Sequence, residues 1–374
     1  MRYCATHQEN RSMSVTESQV QTALKQVVDP NTGKDLITTK SARNIQIQGN
    51  DVSVDIVLGY PAKSVMAEIR ALVEAQLKTI AEIGTITINI GSRIAAHSVQ
   101  RGVGLLSGVK NIIAVASGKG GVGKSTTAVN LALALAAEGA TVGILDADIY
   151  GPSQPQMLGI SGRPESTDGK SIEPLQSHGI QAMSIGFLVD VDTPMVWRGP
   201  MVTGALEQLL RDTRWKDLDY LVIDLPPGTG DIQLTLSQKV PVTGAIIVTT
   251  PQDIALLDAR KGLKMFEKVG IPILGIVENM STHICSNCGH EEHIFGAGGG
   301  EAMCKDYNVE LLGSLPLDIR IREQADGGKP TVIAEPDSQI SATYKQIART
   351  TAIKIANLGL DHSSKFPNIV IQNT

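Results

Sequence analysis

Alternating apolar and polar residues identify a small domain near the N-terminus. Two such stretches meet at a turn at residues 49–51, as expected for a half-buried hairpin. Apolar residues then recur at helical spacing across residues 66–80 and would form one apolar helix face. The whole pattern predicts helix, strand, strand, helix and strand. We therefore expect an α+β domain at residues 13–90, preceded by a disordered tail at residues 1–12.

Short apolar runs separated mostly by helical stretches dominate the rest of the chain. Residues 91–110 contain four glycines and scattered charges, which predict a flexible linker. A second domain is expected at residues 111–374. Its alternation of strands and helices is typical of the α/β class with a doubly wound, mostly parallel sheet. The predicted strands are residues 112–116, 142–145, 220–223, 245–248, 273–277 and 311–315.

Charge and cysteine usage narrow the classes of function. A net charge of -5 provides no overall basic field for nucleic acid or an anionic membrane, so neither partner is expected. The N-terminus lacks the apolar core of a signal peptide and no apolar run reaches bilayer length, which favours a cytoplasmic protein. Four cysteines in 374 residues make no disulfide framework.

A phosphate-binding loop follows the first predicted strand of the second domain. Residues 118–125 match G-x-x-x-x-G-K-[ST] and open an Ala- and Leu-rich helix. Lys124 is expected to contact the β- and γ-phosphates of ATP, and Ser125 to ligate Mg²⁺. Backbone N–H groups at the helix N-terminus would bind phosphate oxygens. The alternative interpretation of residues 118–125 is a glycine-rich turn that matches the motif by chance. The expected nucleotide-binding residues of the loop are Gly118, Lys119, Gly120, Gly121, Val122, Gly123, Lys124, Ser125 and Thr126.

Cys285 and Cys288 form a candidate metal-binding pair. Two thiolates at this spacing can chelate one metal site, but they cannot complete a tetrahedral S₄ site alone. A symmetric dimer would supply both pairs on its axis. Spacing does not choose between [4Fe-4S] and Zn²⁺, and His290 with His293 leaves a one-chain Cys₂His₂ zinc site open. A purely structural pair is the third alternative, and Cys304 is expected to be a structural thiol.

The loop KGGVGKST resembles the deviant Walker A motif of the superfamily of MinD, ParA and the nitrogenase iron protein. The resemblance implies that Lys119 reaches across a dimer interface to the partner's phosphates, so that catalysis would require two chains. It also implies that Asp148 positions the attacking water beside Asp146, and that Asp224 and Gly228 form the D-x-x-x-G switch. Asp224 would lie near Mg²⁺ through water, and Gly228 would sense the γ-phosphate. A helix-cap role is the competing interpretation for each aspartate.

Residues after two later strands are expected to surround the adenine. The superfamily resemblance implies this role for Asn279, in the sequence ENMS, and for Pro316 and Asp318. An Asn side chain offers both a donor and an acceptor, which suits the edge of adenine. The alternative is that Asn279 only forms a turn.

A set of motifs extends across residues 111–330 in the order KGGVGKST, DADIYGPSQP, WRGPM, LDYLVIDLPPGTGD, ENMS, CSNCGH, IFGAGGGEAM and GSLPLD. This set closely resembles the Mrp/ApbC family of iron-sulfur cluster carriers. The resemblance implies a homodimer that holds a [4Fe-4S] cluster on Cys285 and Cys288 of each chain. It further implies slow, switch-like ATP hydrolysis and transfer of the cluster to apo-proteins, with cluster donors as further partners.

The small domain contains an Asp-Pro step at residues 29–30 and a Tyr-Pro step at residues 60–61. These steps resemble the iron-sulfur assembly domain that is commonly fused to Mrp proteins. Many versions of that domain have a cysteine just after the Tyr-Pro step, whereas Lys63 and Ser64 follow Ala62 here. This difference argues against a metal role for the small domain, and recognition of client proteins is the alternative.

Two other functions compete within the same superfamily. A MinD- or ParA-like positioning ATPase needs a membrane-targeting helix or a basic DNA surface, whereas the C-terminal stretch contains Pro367 and no long amphipathic stripe. A zinc-stapled targeting ATPase that shields hydrophobic client helices needs a Met-rich groove, and no suitable insert is present. The predicted function is therefore an ATP-dependent iron-sulfur cluster carrier.

Overall fold

The computed structural model describes residues 14–97, 103–166, 168–188, 199–285 and 287–359. Contacts divide the chain into two compact units, Met1–Arg93 and Ile94–Thr374. The predicted tail at residues 1–12 lies outside the described residues, as do residues 197–198 of the WRGPM motif and Pro367. No helix in the described ranges is both long enough and apolar enough to cross a membrane.

The first unit combines two helices with five strands among its described residues. In chain order they are α1 (Glu17–Lys25), β1 (Val28–Asp29), β2 (Lys34–Asp35), β3 (Ala42–Gln48), β4 (Asp51–Leu58), α2 (Met66–Leu77) and β5 (Ile86–Ser92). The main sheet has the order β3-β4-β5, with β4 antiparallel to β3 and parallel to β5. Every second residue of β4 is buried, as the alternation predicted. The small α+β fold is confirmed.

One residue of each dipeptide step, Asp29 and Tyr60, contacts the other in the interior of the first unit. Tyr60 donates its hydroxyl hydrogen to Asp29 Oδ2 at 2.8 Å, and both side chains are buried. Asp29 also accepts hydrogen bonds from the backbone N–H of Asn31 at 2.9 Å and from Thr32 Oγ1 at 3.1 Å. A buried carboxylate needs such donors, so the Asp29 network stabilises the turn between β1 and β2.

The second unit is built on an eight-stranded sheet. In chain order its elements are β6 (Val109–Ala116), α3 (Lys124–Ala137), β7 (Val142–Asp146), α4 (Gln154–Met157), β8 (Leu175–Ser177), β9 (Ile180–Ser184), a 3₁₀ turn (Ile185–Phe187), α5 (Gly199–Asp212), β10 (Leu218–Asp224), α6 (Asp231–Lys239), β11 (Gly244–Thr249), α7 (Asp253–Lys268), β12 (Ile273–Glu278), β13 (His283–Ile284), β14 (Glu291–Glu292), α8 (Gly299–Tyr307), β15 (Leu311–Ser314), α9 (Ile319–Asp326), α10 (Thr331–Ala334) and α11 (Gln339–Ala356).

The sheet of the second unit has the order β15-β12-β11-β6-β10-β7-β9-β8. All neighbouring strands are parallel except β8 and β9. Residues 111–116 of the central strand β6 are all buried. Because successive side chains point to opposite faces, both faces of this strand are covered. The predicted α/β class with a mostly parallel sheet is confirmed, and the carboxyl ends of its parallel strands share one edge, where such folds bind ligands.

Two features of the second unit depart from the sequence pattern. The sheet continues beyond β7 through β9 and the antiparallel β8, which is too short and too polar to give a strand signal. The stretch predicted as a flexible linker is also partly ordered against β6. His97 Nδ1 lies 2.9 Å from Asn111 Oδ1, and Asn111 Nδ2 donates to Ala95 O at 2.9 Å. Asn111, at the start of the predicted domain, therefore holds part of that stretch in place.

Candidate nucleotide and metal-binding site

The phosphate-binding loop joins β6 to α3 and depends on glycine. Gly121 and Gly123 have φ angles of 79° and 81°, which residues with side chains rarely adopt. A Cβ atom at Gly118 would lie 2.1 Å from the backbone carbon of Asp258. A Cβ atom at Gly123 would lie 2.1 Å from Asn279 Nδ2. The loop can follow this tightly packed path only with glycine at these positions.

Lys124, the first residue of α3, is a buried cation in the site. Its side chain is 6% exposed, and Nζ donates to Asp224 Oδ1 and, at 3.1 Å, to Ser125 Oγ. Asp148 Oδ2 lies 3.9 Å from the same nitrogen. A buried ammonium group needs anionic partners, because desolvating an unpaired charge is strongly unfavourable. Lys124 thus gathers three of the predicted site residues around one charge.

Asp146 and Asp224 form a buried carboxylate pair at the ends of neighbouring strands. They face each other in the register of β7 and β10. Burial, reinforced by the Asp224 carboxylate, raises the pKa of Asp146 to about 7. Asp146 accepts hydrogen bonds from the backbone N–H groups of Asp148, Ser153 and Gln154 at 3.0–3.1 Å. Asp146 therefore holds the loop that leads into α4, whose N-cap residue is Ser153.

Asp148 and Gly228 each lie next to the phosphate-binding loop, Asp148 beside Lys124 and Gly228 beside Ser117. Asp148 is partly buried, and burial raises its pKa. Gly228 has a φ angle of 100° and donates its N–H to Ser117 O at 3.0 Å. The segment predicted to be the D-x-x-x-G switch is thus hydrogen-bonded directly to the start of the loop.

Gln154 is a candidate residue that the sequence analysis missed. Its side chain is buried, and Nε2 donates to Asp224 Oδ2 at 2.9 Å and to Ser125 O at 3.1 Å. No local motif signals these contacts, because the three residues come from three separate elements. Only the DADIYGPSQP motif, which includes Gln154, could have drawn attention to this position.

Lys119 differs from Lys124 in its surroundings. It is half-buried in the loop, and its backbone carbonyl accepts a hydrogen bond from Ser117 Oγ at 2.9 Å. Within the part of the chain that the structure describes, no carboxylate lies within 4 Å of the Lys119 ammonium group. Its charge therefore has no ionic partner among these residues.

The residues of this cluster fit a nucleoside triphosphate with Mg²⁺. Lys124 can exchange its contact with Asp224 for phosphate oxygens, and Ser125 Oγ lies beside it. Two buried oxygen atoms nearby, Ser153 Oγ and Gln154 Oε1, have no hydrogen-bond partner in the described part of the chain. A hydrated cation supplies the donors that such acceptors need.

The predicted adenine-contacting residues follow the neighbouring strands β12 and β15. Asn279 Nδ2 donates to Val122 O at 2.9 Å and so holds the phosphate-binding loop. Pro316 is half-buried in the loop after β15. Asp318 caps α9 by accepting from the backbone N–H of Arg320 at 2.8 Å, and the Arg320 guanidinium lowers its pKa. The Asp318 carboxylate is therefore held by α9 and Arg320, and its contact with adenine stays a prediction.

The cysteine pair lies at the tip of a hairpin formed by β13 and β14. Cys285 N donates to His290 O at 2.9 Å, and Gly289 N donates to Cys285 O at 2.8 Å. Cys285 is half-buried, whereas Cys288 is exposed. Hydrogen bonds from the backbone N–H groups of Cys288 and Asn287 lower the pKa of Cys285. They favour the thiolate, which is the form that binds metal.

Two histidines fix the hairpin to the loops that surround it. His283 Nδ1 lies 3.0 Å from Leu317 O, and His293 Nδ1 lies 2.9 Å from Ser281 O. Ser281 N in turn donates to the backbone carbonyl of Leu315 at 2.9 Å. The segment between Asn279 and Cys285 is therefore held by hydrogen bonds at Ser281 and His283.

A one-chain zinc site is not supported. Among the described residues, no group of three or more His, Cys, Asp or Glu side chains is placed to hold a metal ion. The His290 side chain is 67% exposed and lies 4.0 Å from Glu292. Cys304 is buried on α8, and burial raises its pKa to about 11, as expected for a structural thiol. A metal bound by Cys285 and Cys288 would therefore need ligands from elsewhere.

Sequence comparison connects both units to known families. The ParA-type family described as NUBPL iron-transfer P-loop NTPases matches residues 108–352, more than half of the chain. The chain belongs to this family. The domain described as iron-sulfur cluster assembly protein matches residues 17–90. The resemblance carried by the motifs is thereby confirmed, and so is nucleotide binding as a property of the family.

Curated relatives align with most of this chain. The chain is 62% identical over 282 residues to an iron-sulfur cluster carrier protein of Pseudomonas fragi, and the alignment covers 75% of this chain and 98% of that protein. It is 54% identical over 327 residues to an iron-sulfur cluster carrier protein of Escherichia coli K12, covering 87% and 89%. A solved nucleotide-binding protein of Archaeoglobus fulgidus in complex with ADP has a TM-score of 0.55 at 38% identity, covering 62% and 90%.

Proposed function

We propose that this NTPase is an ATP-dependent carrier of [4Fe-4S] clusters that works as a homodimer. The observation that supports the proposal best is the accessible pair Cys285 and Cys288, for which the described part of the chain places no further metal ligand. Two chains would supply four thiolates, the ligand set of a [4Fe-4S] cluster. The relatives named iron-sulfur cluster carrier proteins support the same cargo. The cluster is a substrate, received from a donor and passed to an apo-protein.

The nucleotide site would act as a slow switch for this transfer. Lys124 would move from Asp224 to the β- and γ-phosphates of ATP, and Ser125 would ligate Mg²⁺ with Asp224 close by through water. Asp148 would orient the attacking water. Lys119, whose charge has no ionic partner among the described residues, would stabilise the phosphates bound by the other chain. Hydrolysis would then require two chains.

The adenine would lie between the loops that follow β12 and β15. Asn279 would read the base edge while it holds the phosphate-binding loop through Val122. Pro316 and Asp318 would form the opposite wall, and the contact of Asp318 with Arg320 would fix that loop.

Anaerobic reconstitution with iron and sulfide tests the cargo and the dimer together. We expect visible absorption typical of a [4Fe-4S] cluster, and a native mass that shows one four-iron cluster for each pair of chains. Cys285→Ala or Cys288→Ala should each abolish cluster retention. Cys304→Ala is the matched control and should retain the cluster, because that thiol is buried on α8. A stable cluster on a monomer, or binding of zinc alone, would reject the arrangement.

The carrier function needs a transfer measurement as well. Loaded protein is mixed anaerobically with an apo-protein that requires a [4Fe-4S] cluster, and the activity of the acceptor is followed. We expect the acceptor to gain activity from loaded wild-type protein and not from the Cys288→Ala variant. Retention of the cluster without any transfer would contradict a carrier role.

A further inference from the structure

Gln154 connects three parts of the nucleotide site that are distant in sequence. Its backbone N–H donates to Asp146 Oδ2, at the end of β7, at 3.0 Å. Its side-chain Nε2 donates to Asp224 Oδ2, at the end of β10, at 2.9 Å and to Ser125 O, in the first turn of α3, at 3.1 Å. The residue is 1% exposed. One residue thus links both buried carboxylates to the helix that carries Lys124, through its backbone to Asp146 and through its side chain to Asp224 and Ser125.

The orientation of the Gln154 amide follows from its partners. A carboxylate oxygen and a carbonyl oxygen are both acceptors, so only the NH₂ group can face Asp224 and Ser125. The reverse orientation would place two unprotonated oxygens against each other. The Gln154 Oε1 atom therefore does not face Asp224 Oδ2 or the Ser125 backbone carbonyl, and it is buried without a hydrogen-bond partner among the described residues. A buried acceptor without a donor is unfavourable, which indicates that a ligand supplies one.

We propose that Gln154 positions Asp224 for Mg²⁺ and that its Oε1 accepts a hydrogen bond from a water molecule bound to that ion. The inference rests on the proposed function, in which Asp224 lies near the metal. When Lys124 moves to the phosphates, it releases Asp224 Oδ1. The Gln154 amide keeps hold of Oδ2, so the carboxylate stays in place with its other oxygen directed towards the metal. Such outer contacts orient metal-binding groups in many proteins.

A purely structural role is the competing explanation for the same contacts. In that case the Gln154 amide would only brace α3 against β10. Loss of such a brace would weaken nucleotide binding equally with and without Mg²⁺. The role proposed here predicts a loss that appears only when Mg²⁺ is present, because the Gln154 side chain contacts Ser125 at its backbone carbonyl, which is an acceptor and does not bind phosphate.

The test compares Gln154→Met with wild-type protein and with Gln156→Met. Methionine has a similar length but makes no strong hydrogen bond, and Gln156 is an exposed residue of the same helix α4. Affinity for a fluorescent ATP analogue is measured with Mg²⁺ and with EDTA, together with the melting temperature. We expect the enhancement of affinity by Mg²⁺ to fall about tenfold in Gln154→Met, as for loss of one hydrogen bond to a charged group. Affinity in EDTA and the behaviour of Gln156→Met should equal those of the wild type.

Three results would overturn the proposal. An unchanged Mg²⁺ enhancement in Gln154→Met would show that the amide does not act on the metal. An equal loss of affinity with Mg²⁺ and with EDTA would assign Gln154 a structural role. A wild-type protein that binds the nucleotide without any Mg²⁺ enhancement would reject the proposed metal site itself. If Gln154→Met does not fold, Gln154→Asn replaces it in the same comparison of affinity with Mg²⁺ and with EDTA. The shorter Asn amide cannot reach Asp224 and Ser125 together.

Discussion

Replacement of Lys124 by Met should destabilise the nucleotide-free protein as well as prevent phosphate binding. Met has a similar length but no charge, so Asp224 would remain fully buried without its cation. Removal of one partner from a buried ion pair costs about 3–5 kcal/mol of unfolding free energy. We expect the lower end, about 3 kcal/mol, because Gln154 still donates to Asp224 and the carboxylate pair can bind a proton.

The size of this loss should depend on pH. Lys124 lowers the pKa of Asp146, so its removal lets that pKa rise further above about 7. The folded Lys124→Met protein then binds more protons than the folded wild type around neutral pH. Its stability falls more steeply as the pH rises, since protons released on unfolding favour the unfolded state at high pH. The difference between the two proteins should therefore be larger at pH 8 than at pH 5.5.

Urea unfolding monitored by tryptophan fluorescence measures this difference. The sequence contains two tryptophans, at positions 197 and 215, and none at residues 1–93, so the signal reports on the unit that contains Lys124. The samples contain EDTA and no nucleotide. Lys119→Met is the matched control in the same loop, and its unfolding free energy should change by no more than about 0.5 kcal/mol. Equal stability of Lys124→Met and Lys119→Met at pH 8 would refute the reasoning.

Three further predictions use the same proteins. The Lys119→Ala variant should bind ATP but fail to hydrolyse it. Mixed dimers of this variant with a second variant that is defective at another site residue should regain part of the activity. A wild-type rate of hydrolysis in the Lys119→Ala homodimer would exclude a role for Lys119 in the partner's site. The pKa of Asp146 is raised from 3.8 to about 7. The folded protein therefore holds an extra proton between these values, and the wild type without nucleotide should lose about 3 kcal/mol of unfolding free energy from pH 5 to pH 8. A flat or rising urea stability curve would contradict this assignment. Finally, nucleotide affinity measured anaerobically should differ between cluster-loaded and cluster-free protein, and equal affinities would exclude equilibrium coupling.

The strands that carry the site were predictable because both of their faces are buried. Runs of Ile, Val and Leu locate β6 and β10 within the sheet. The structure extends β6 back to Val109 and β10 back to Leu218, where the paired residues Lys110 and Asp219 are polar. Backbone pairing continues there without an apolar pattern, so sequence periodicity cannot mark these ends. The strand β8 escaped notice because its three residues give too few positions for a period, and β9 because Gln181 and Ser184 interrupt its apolar residues.

The chemistry of the phosphate-binding loop was predictable, but its partners were not. Glycines and Lys124 form a local motif whose meaning depends only on the strand and helix that flank it. The contact of Lys124 with Asp224 joins residues 100 positions apart, and that of Asn279 with Val122 joins residues 157 apart. Tertiary packing decides such contacts, and no local pattern encodes them. The same holds for Gln154, whose amide carries no charge that would single it out.

One short segment of the chain connects the candidate nucleotide site to the cysteine pair. Asn279 donates a hydrogen bond to the phosphate-binding loop, and Cys285, the first of the two proposed cluster ligands, follows six residues later. Between them, Ser281 and His283 are hydrogen-bonded to the loop after β15, so the segment has little freedom to absorb a displacement. If ATP shifts the phosphate-binding loop, either the hairpin follows or the Asn279 hydrogen bond breaks. A bond of about 1 kcal/mol is enough for a roughly fivefold difference in affinity. Because equilibrium coupling is reciprocal, nucleotide binding alone can measure how ATP changes the affinity for the cluster.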